Sequence, residues 1–297
     1  MQHLHRRLSR DFGVALVAVA ILALPRLGAA QTEPLTQPPP AGAEDVASEG
    51  ATEIAKKLQN PIADLISVPF QENANFGYGP QRGTQNILNI QPVIPFHLND
   101  DWNLITRTIL PLTWQPQLGP TIGSAFGLGD ITESLFFSPK NPVDGIIWGV
   151  GPAIVVPTAT NGLVGSNIWG GGPTGVVLRM DGPWVYGALT NNLFSFGGHS
   201  GPSGNSYNSF LLQPFVNHNF SEGWYVSSAP IITANWQAKS NQQWLVPIGG
   251  AVGKVVKFGK LPVNFNLGGY YNAVRPSGIG PEWQLRAQVT FLLPSFK

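Results

Sequence analysis

Connections between the strand-like segments of this chain alternate between short and long from about residue 65 to the C-terminus. The short ones include Asn99–Asp101 and Ser221–Glu222, and the long ones, rich in Gly and Pro, include Gln115–Leu128 and Thr158–Pro173. Nothing in the architecture of a soluble β-sandwich requires short and long connections to alternate, whereas a membrane β-barrel has tight turns on its periplasmic side and long loops on its extracellular side. The alternation therefore predicts an all-β fold, a closed antiparallel transmembrane β-barrel with short periplasmic turns and longer extracellular loops.

The segments between these connections, about 12 in number and mostly of roughly 9–15 residues, show the period-two alternation of strands with two different faces. The predicted strands are residues 65–76, 86–98, 102–114, 129–138, 145–157, 174–181, 184–196, 207–220, 223–236, 243–256, 261–273 and 282–293. An even number of strands places both termini at the short-turn, periplasmic side. Prolines should produce bulges or broken pairing, because proline cannot donate to the ladder. Those inside predicted strands are Pro92, Pro95, Pro111, Pro152, Pro214, Pro230 and Pro247.

One face of the clearest segment is uncharged and has tryptophan at both ends, Trp102 and Trp114. Twelve steps of ~3.4 Å in a strand tilted by ~40° rise about 30 Å, close to the apolar band of a barrel and its aromatic girdles. Trp224 and Trp236 repeat this spacing on a second segment. Tryptophan suits the membrane interface because its ring is apolar while its N–H needs a polar partner. The predicted membrane girdle consists of Trp102, Trp114, Trp224, Trp236 and Trp283.

The opposite face of several segments carries arginines and amides. A cation costs ~2–4 kcal/mol on the lipid face at mid-depth, so these side chains are expected inside the barrel. The predicted lumen-lining residues are Asn103, Arg107, Arg179, Asn264, Asn266, Gln284, Arg286 and Gln288. Such a lumen is polar and mildly cationic, which favours passage of small anionic or neutral solutes by diffusion. The alternative is a closed structural or ligand-binding barrel whose interior is filled by arginine–carboxylate and amide networks.

The N-terminus has the organisation of an exported protein. Arg6, Arg7 and Arg10 precede the apolar run 12–24, and small residues precede Gln31, so residues 1–30 are predicted to be a cleaved signal peptide. Residues 31–50 form a Pro-rich disordered linker, 51–62 a short helix and 63–297 the outer-membrane barrel of a Gram-negative bacterium. The helix could be a plug inside the barrel or a solvated periplasmic segment, and the sequence favours the solvated segment.

Other classes of function have little support in the sequence. The net charge of +1 and the absence of a basic cluster argue against nucleic acid as a partner, and the chain has no cysteine. Its mature histidines, His97, His199 and His218, are scattered and form neither a metal site nor a catalytic triad with Ser195 or Ser200. We therefore predict no enzyme, no cofactor and no metal, with an acyl-handling membrane enzyme as the less favoured alternative. The expected partners are outer-membrane lipid and a small solute.

Four blocks of sequence resemble a bacterial outer-membrane barrel family that is often labelled "transporter" or neuromedin U-like and is akin to the phenol-degradation MetA-pathway barrels. They are NPIADLISVPFQ, TQNILNIQPVIPFHLNDDWNLITRTILPL, LQPFVNHNFSEGWYVSSAPIITANW and WQLRAQVTFLL. The resemblance covers roughly residue 60 to the end. It implies a barrel and small-molecule passage, with no defined substrate and no catalytic residues. It also implies a C-terminal strand that the assembly machinery recognises through a final aromatic residue, although here Phe296 is followed by Lys297.

Overall fold

A computed structural model of the protein describes residues 50–197 and 206–293. The predicted signal peptide, nearly all of the linker, His199 and the C-terminal Phe296 lie outside these residues. The elements are helix α1 (Ala51–Leu58), the 3₁₀ turns η1 (Ser221–Gly223) and η2 (Ser240–Gln242), and the strands β1 (Ile66–Tyr78), β2 (Gly83–Ile90), β3 (Val93–His97), β4 (Trp102–Gln115), β5 (Ala125–Leu128), β6 (Ile131–Pro139), β7 (Ile146–Val156), β8 (Trp169–Asp181), β9 (Trp184–Gly197), β10 (Asn208–Asn219), β11 (Trp224–Ser228), β12 (Ile232–Asn235), β13 (Trp244–Phe258), β14 (Leu261–Val274) and β15 (Trp283–Leu293).

The strands close into an antiparallel barrel. The first strand pairs with the last, from Ile66 opposite Leu293 to Phe76 opposite Trp283, and every other pairing joins neighbours around the ring. Three strand positions are each divided into two segments, β2 with β3, β5 with β6 and β11 with β12, so the 15 strands occupy twelve positions. The predicted closed barrel of about 12 strands is confirmed. Within residues 50–197 and 206–293, no helix is long and apolar enough to cross a bilayer.

Most strand ends lie within a few residues of their predicted positions, and β8 is the main exception. It begins at Trp169, whereas the sequence predicted a loop as far as residue 173. The run of glycines after Trp169 is part of the sheet because the neighbouring strands approach it closely. A Cβ added to Gly172 would lie 1.9 Å from the carbonyl oxygen of Asn192. Glycine here permits close backbone contact, although in the sequence it is typical of a loop.

Proline interrupts the pairing at most of the predicted places. Pro92 lies between β2 and β3, and Pro230 between β11 and β12, where Pro214 of β10 faces the same gap. A register shift occurs at Pro247. Pro111 faces the gap between β5 and β6, and Pro152 faces a gap in the pairing with β6. Pro95 keeps its register with β4, opposite Ile105, whereas the pairing of β3 with β1 is limited to Val93, so the predicted break occurs there on one side only.

Aromatic side chains cover both ends of the outer face. All nine tryptophans of the chain face outward near a strand end, eight of them within strands and Trp236 directly after β12. The five predicted girdle residues are exposed: Trp102, Trp114, Trp224, Trp236 and Trp283. The indole Nε1–H of Trp236 donates to Asn192 at 2.8 Å, and the ammonium of Lys254 lies 4.5 Å from the centre of the Trp224 ring. These contacts are what an aromatic ring at a polar–apolar boundary requires.

The inner face differs between the two sides of the barrel. An apolar cluster covers the wall formed by β3, β4, β6 and β8 to β10; its members are Ile62, Val93, Ile105, Phe136, Val176, Leu178, Val185, Leu189 and Phe215. The facing wall, from β11 through β15 to β1, carries mainly amides, hydroxyls and one arginine on its inner positions. The interior is therefore divided into an apolar and a polar half.

Candidate ligand-binding site in the barrel lumen

Helix α1 is packed against the inner wall at the periplasmic end. Ile54 is fully buried and contacts a cluster that includes Tyr225 of β11, Val255 of β13 and Leu292 of β15. The Thr52 hydroxyl donates to the carbonyl of Phe220 at 3.1 Å and accepts from the N–H of Gly223 at 3.2 Å. The helix is thus fixed to the turn between β10 and β11. Its apolar stripe is covered by the barrel, so the solvated segment that the sequence favoured is wrong.

The chain that follows the helix continues across the periplasmic opening. Gln59 and Asn219 exchange amide hydrogen bonds of 2.8 and 3.0 Å. Ile62 then packs into the apolar cluster, where its Cδ1 would lie 3.2 Å from a Cβ added to Gly149 of β7. The segment returns to the wall where Asp64 contacts His97 Nε2 at 2.9 Å. We call residues 50–65 the plug segment.

A cavity of about 200 Å³ lies in the lumen next to the plug segment. One part of its wall is apolar, with Val93, Leu189 and Phe215. The remainder is largely polar and contains three cationic side chains, Lys57 of α1, Arg107 of β4 and Arg286 of β15. The other polar residues lining the cavity include Gln59, Asn60, Gln71, Gln91, Gln213, Asn217, Tyr225, Ser227, Asn264, Asn266, Gln288 and Thr290. The cavity is bordered by both the apolar and the polar half of the interior, and two arginines line it.

Breaks in the strands hold both arginines in place. Arg107 Nη2 donates to Gln91 Oε1 at 2.6 Å, and Gln91 is the residue before Pro92 in the break between β2 and β3. Arg286 Nη1 donates to the carbonyl of Ala229 at 2.9 Å, and Ala229 is the residue before Pro230 in the break between β11 and β12. Because a proline cannot donate to the ladder, the second break leaves the backbone carbonyl of Ala229 available to Arg286, whereas Arg107 bonds the side-chain amide of Gln91.

Arg286 is buried and incompletely paired. Its side chain is 4% exposed, its Nη2 donates to Gln284 Oε1 at 2.9 Å, and its guanidinium carbon lies 4.5 Å from the centre of the Tyr270 ring. Its Nε–H has no hydrogen-bond partner. None of the ion pairs found between residues 50–197 and 206–293 involves Arg107 or Arg286. No inward-facing position of the fifteen described strands carries Asp or Glu.

A directional chain of amides leads from Arg286 towards the extracellular side. Gln284 accepts from Arg286 and donates to Asn75 at 2.9 Å. Asn75 donates to Gln85 at 3.1 Å, and Gln85 donates to Gln115 at 2.7 Å. Gln284, Asn75 and Gln85 each accept from one neighbour and donate to the next, and Gln115 accepts at the end, so these contacts from β15 to β4 form without a carboxylate.

Most of the predicted lumen residues lie on the inner face. Arg107, Gln284 and Arg286 make the contacts described above. Asn264 accepts from the Tyr225 hydroxyl at 2.9 Å and Asn266 donates to it at 3.2 Å. Gln288 donates to Thr290 at 3.0 Å, and Asn103 is buried at the periplasmic end with its Oδ1 unpaired.

Arg179 does not line the lumen. It is exposed and shares the outer face of β8 with Val177, opposite the exposed Ile146 and Tyr186. The prediction was wrong because the interior beside β8 is apolar, so Leu178 points inward and the usual rule of apolar-out, polar-in is reversed. Since Arg179 lies two residues from the end of its strand, its long side chain can extend to the polar membrane boundary.

Loop 157–168 narrows the extracellular side of the barrel. The Asp130 carboxylate accepts from the backbone N–H groups of Ala159, Ser166 and Asn167 at 2.6–3.2 Å. Thr160 lies against Gly127, an inner-face position of β5, where an added Cβ would be 2.2 Å from its hydroxyl. Burial, with a smaller contribution from the Asp130 charge, raises the pKa of nearby Tyr207 to about 12. Loop 157–168 therefore folds onto the inner face of the barrel.

The histidines of the described residues have structural surroundings. His97 contacts Asp64, and His218 packs between Trp184 and Phe220 on the outer face. No group of three or more His, Asp or Glu side chains suited to a metal ion occurs in the described parts of the chain.

Comparison with solved structures establishes the fold. An outer membrane channel from Pseudomonas putida F1 aligns with a TM-score of 0.57 and 15% sequence identity, over 77% of this chain and 93% of that chain. Outer membrane phospholipase A from Escherichia coli aligns with a TM-score of 0.39 and 12% identity, over 78% of this chain and 98% of that one. The outer membrane phospholipase of Salmonella typhi aligns with a TM-score of 0.40 and 13% sequence identity, over 84% of this chain and 100% of that chain. The latter two scores are too low to establish a common fold. No protein-family model and no curated protein sequence matches the chain.

Proposed function

We propose that this protein is an outer-membrane channel through which small solutes pass, with a lumen that favours anions. The barrel has aromatic bands at both ends of an apolar outer face, which is the surface that a bilayer of ~25 Å apolar height requires. The apolar run near the N-terminus supports export through a cleaved signal peptide. The common fold with a channel of Pseudomonas putida is consistent with this role.

The observation that carries the proposal is the positive charge on the inner face of the described strands, where neither Arg107 nor Arg286 pairs with a carboxylate. Arg107 and Arg286 line one cavity, and the inner face of the described strands has no carboxylate. A charge inside a protein is costly unless it is paired, and anions entering the lumen would provide the missing countercharge. The positive potential of the same two arginines would repel cations.

The plug segment supports a second candidate, a closed ligand-binding barrel. It crosses the periplasmic opening and is held by both apolar packing and hydrogen bonds. Passage therefore requires the plug segment to move, whereas a closed barrel would keep it in place while a ligand enters from the extracellular side.

Planar-bilayer measurements on the refolded full-length protein distinguish the two. In a KCl gradient, we expect a reversal potential that shows preference for chloride, reduced in Arg107→Gln and Arg286→Gln. Arg179→Gln is the matched control because that arginine lies on the outer face. A folded protein that carries no current, with or without the packing variant Ile54→Asn, would favour the closed barrel.

A further inference from the structure

We propose that the lumen cavity is a binding site for a monocarboxylate with a compact apolar body. This inference rests on the cationic lumen of the proposed function and adds to it a specific site and ligand class. The site is formed by Arg107, Arg286 and Tyr270 on the polar side and by Val93, Leu189 and Phe215 on the apolar side.

The arginines have donors left for an anion. A guanidinium has five N–H donors, and the contacts of Arg286 use only Nη1 and Nη2, which leaves the buried Nε–H without an acceptor. A buried donor without an acceptor costs free energy that a carboxylate oxygen would recover. Arg107 lines the same cavity, and its one hydrogen bond goes to a neutral amide. Planar carboxylates match the fork of a guanidinium.

The surroundings keep Arg286 fixed before a ligand arrives. Its Nη groups are held at 2.9 Å by the Ala229 carbonyl and the Gln284 amide, and the Tyr270 ring covers one face of the guanidinium. Because its side chain is already ordered, a ligand would lose little of its binding free energy in ordering it.

The apolar wall selects the rest of the ligand. A second charge beside Val93, Leu189 or Phe215 would be desolvated without a partner, so dicarboxylates and inorganic dianions are disfavoured. A cavity of roughly 150 Å³ lined by apolar side chains can hold one benzene ring. The 200 Å³ available here suits a carboxylate joined to one ring or to a chain of similar volume.

Equilibrium binding on the full-length, detergent-refolded protein tests the site without depending on conductance. The probe is cyclohexanecarboxylate, with neutral cyclohexanecarboxamide and succinate as ligand controls. By titration calorimetry, we expect saturable binding of cyclohexanecarboxylate, at least tenfold weaker binding of both controls, and at least tenfold loss of affinity in Arg286→Gln and Arg107→Gln. Arg179→Gln should bind as the wild type does.

A second variant separates loss of the site from loss of the fold. Leu189→Phe keeps both arginines and reduces the apolar space, so it should weaken cyclohexanecarboxylate while leaving acetate unchanged. Equal affinity for the acid and the amide, wild-type affinity in Arg286→Gln, or no saturable binding to the folded wild type would overturn the inference. Chloride selectivity without cyclohexanecarboxylate binding would leave the channel proposal intact and refute only the binding site. Binding of cyclohexanecarboxylate without any current would support the binding site and refute the channel.

Discussion

Packing of Ile54 should control how often the plug segment leaves the periplasmic opening. The side chain is 0% exposed and lies among Tyr225, Val255 and Leu292. Ile54→Ala removes most of this contact and leaves space that the rigid barrel wall cannot fill. Alanine is also a better helix former than isoleucine, so any weakening of the docked state must come from lost packing.

The size of the effect follows from the burial. Replacing a fully buried isoleucine by alanine costs ~2–5 kcal/mol. Each 1.4 kcal/mol changes an equilibrium constant about tenfold, so the ratio of docked to undocked plug segment should fall by a factor between about 30 and a few thousand. The barrel itself should remain folded, because its strand ladder is closed without the helix.

A single cysteine can measure the undocked population, since the chain has no cysteine of its own. Ala55 is 1% exposed beside Ile54, so Ala55→Cys should react with a water-soluble maleimide only when α1 leaves the wall. Adding Ile54→Ala should increase the reaction rate by at least about 30-fold, the lower bound set by the packing loss. If the barrel is the proposed channel, the same change should increase the fraction of time that it conducts.

Glu53→Ala provides the control, because Glu53 lies on the exposed side of the same helix and pairs only with Lys56. A surface pair of this kind contributes at most ~1 kcal/mol, so the reaction rate should change little. Equal maleimide rates with and without Ile54→Ala, in a protein that is verifiably folded, would refute the role of this packing in closing the periplasmic opening.

Two other predictions concern carboxylates outside the lumen. Hydrogen bonds from Arg82 and Arg275 lower the pKa of Glu282. The ionised Glu282 therefore stabilises the folded loop at pH values above its ordinary pKa of about 4.3. This stabilisation is lost as the pH falls through the lowered pKa. Hydrogen exchange in loop 275–282 should accelerate in that acidic range, and an identical pH profile in Glu282→Gln would contradict this. On the outer face, the Glu133 carboxylate accepts a hydrogen bond from the hydroxyl of Thr108, which lies midway between Trp102 and Trp114 in β4. Glu133→Leu should raise the unfolding free energy in lipid bilayers by about 1–2 kcal/mol, whereas Thr108→Val should lower it, and a loss of stability in Glu133→Leu would count against a lipid-facing position.

The barrel could be predicted from the sequence because the membrane imposes two strict regularities. Lipid covers one face of every strand, so Trp102 and Trp114 end the same uncharged face, and the turns are sorted by side. These patterns depend only on residues near one another in the chain. The strand positions, their number and the outward direction of the girdle residues follow from them.

The lumen could be predicted only in part, because no comparable regularity acts inside. Arg107 and Arg179 are both arginines within strands, yet only Arg107 points inward, since the wall beside Arg179 is apolar on its inner side. That wall is apolar because Ile62 of the plug segment packs into it. Long-range contact of this kind leaves no signal in local alternation. Gln91 was missed for a related reason: its contact with Arg107 depends on how the chain passes Pro92.

Placing every tryptophan on the outside leaves the interior without an indole. All nine indoles lie on the lipid-facing side of the wall, so tryptophan emission, excited selectively, reports hydrocarbon, headgroup and detergent. Brominated acyl chains should therefore quench the emission of all nine tryptophans, whereas a ligand bound beside Arg286 would leave the tryptophan emission spectrum unchanged. Tryptophan quenching can thus report membrane insertion without interference from ligand bound in the lumen.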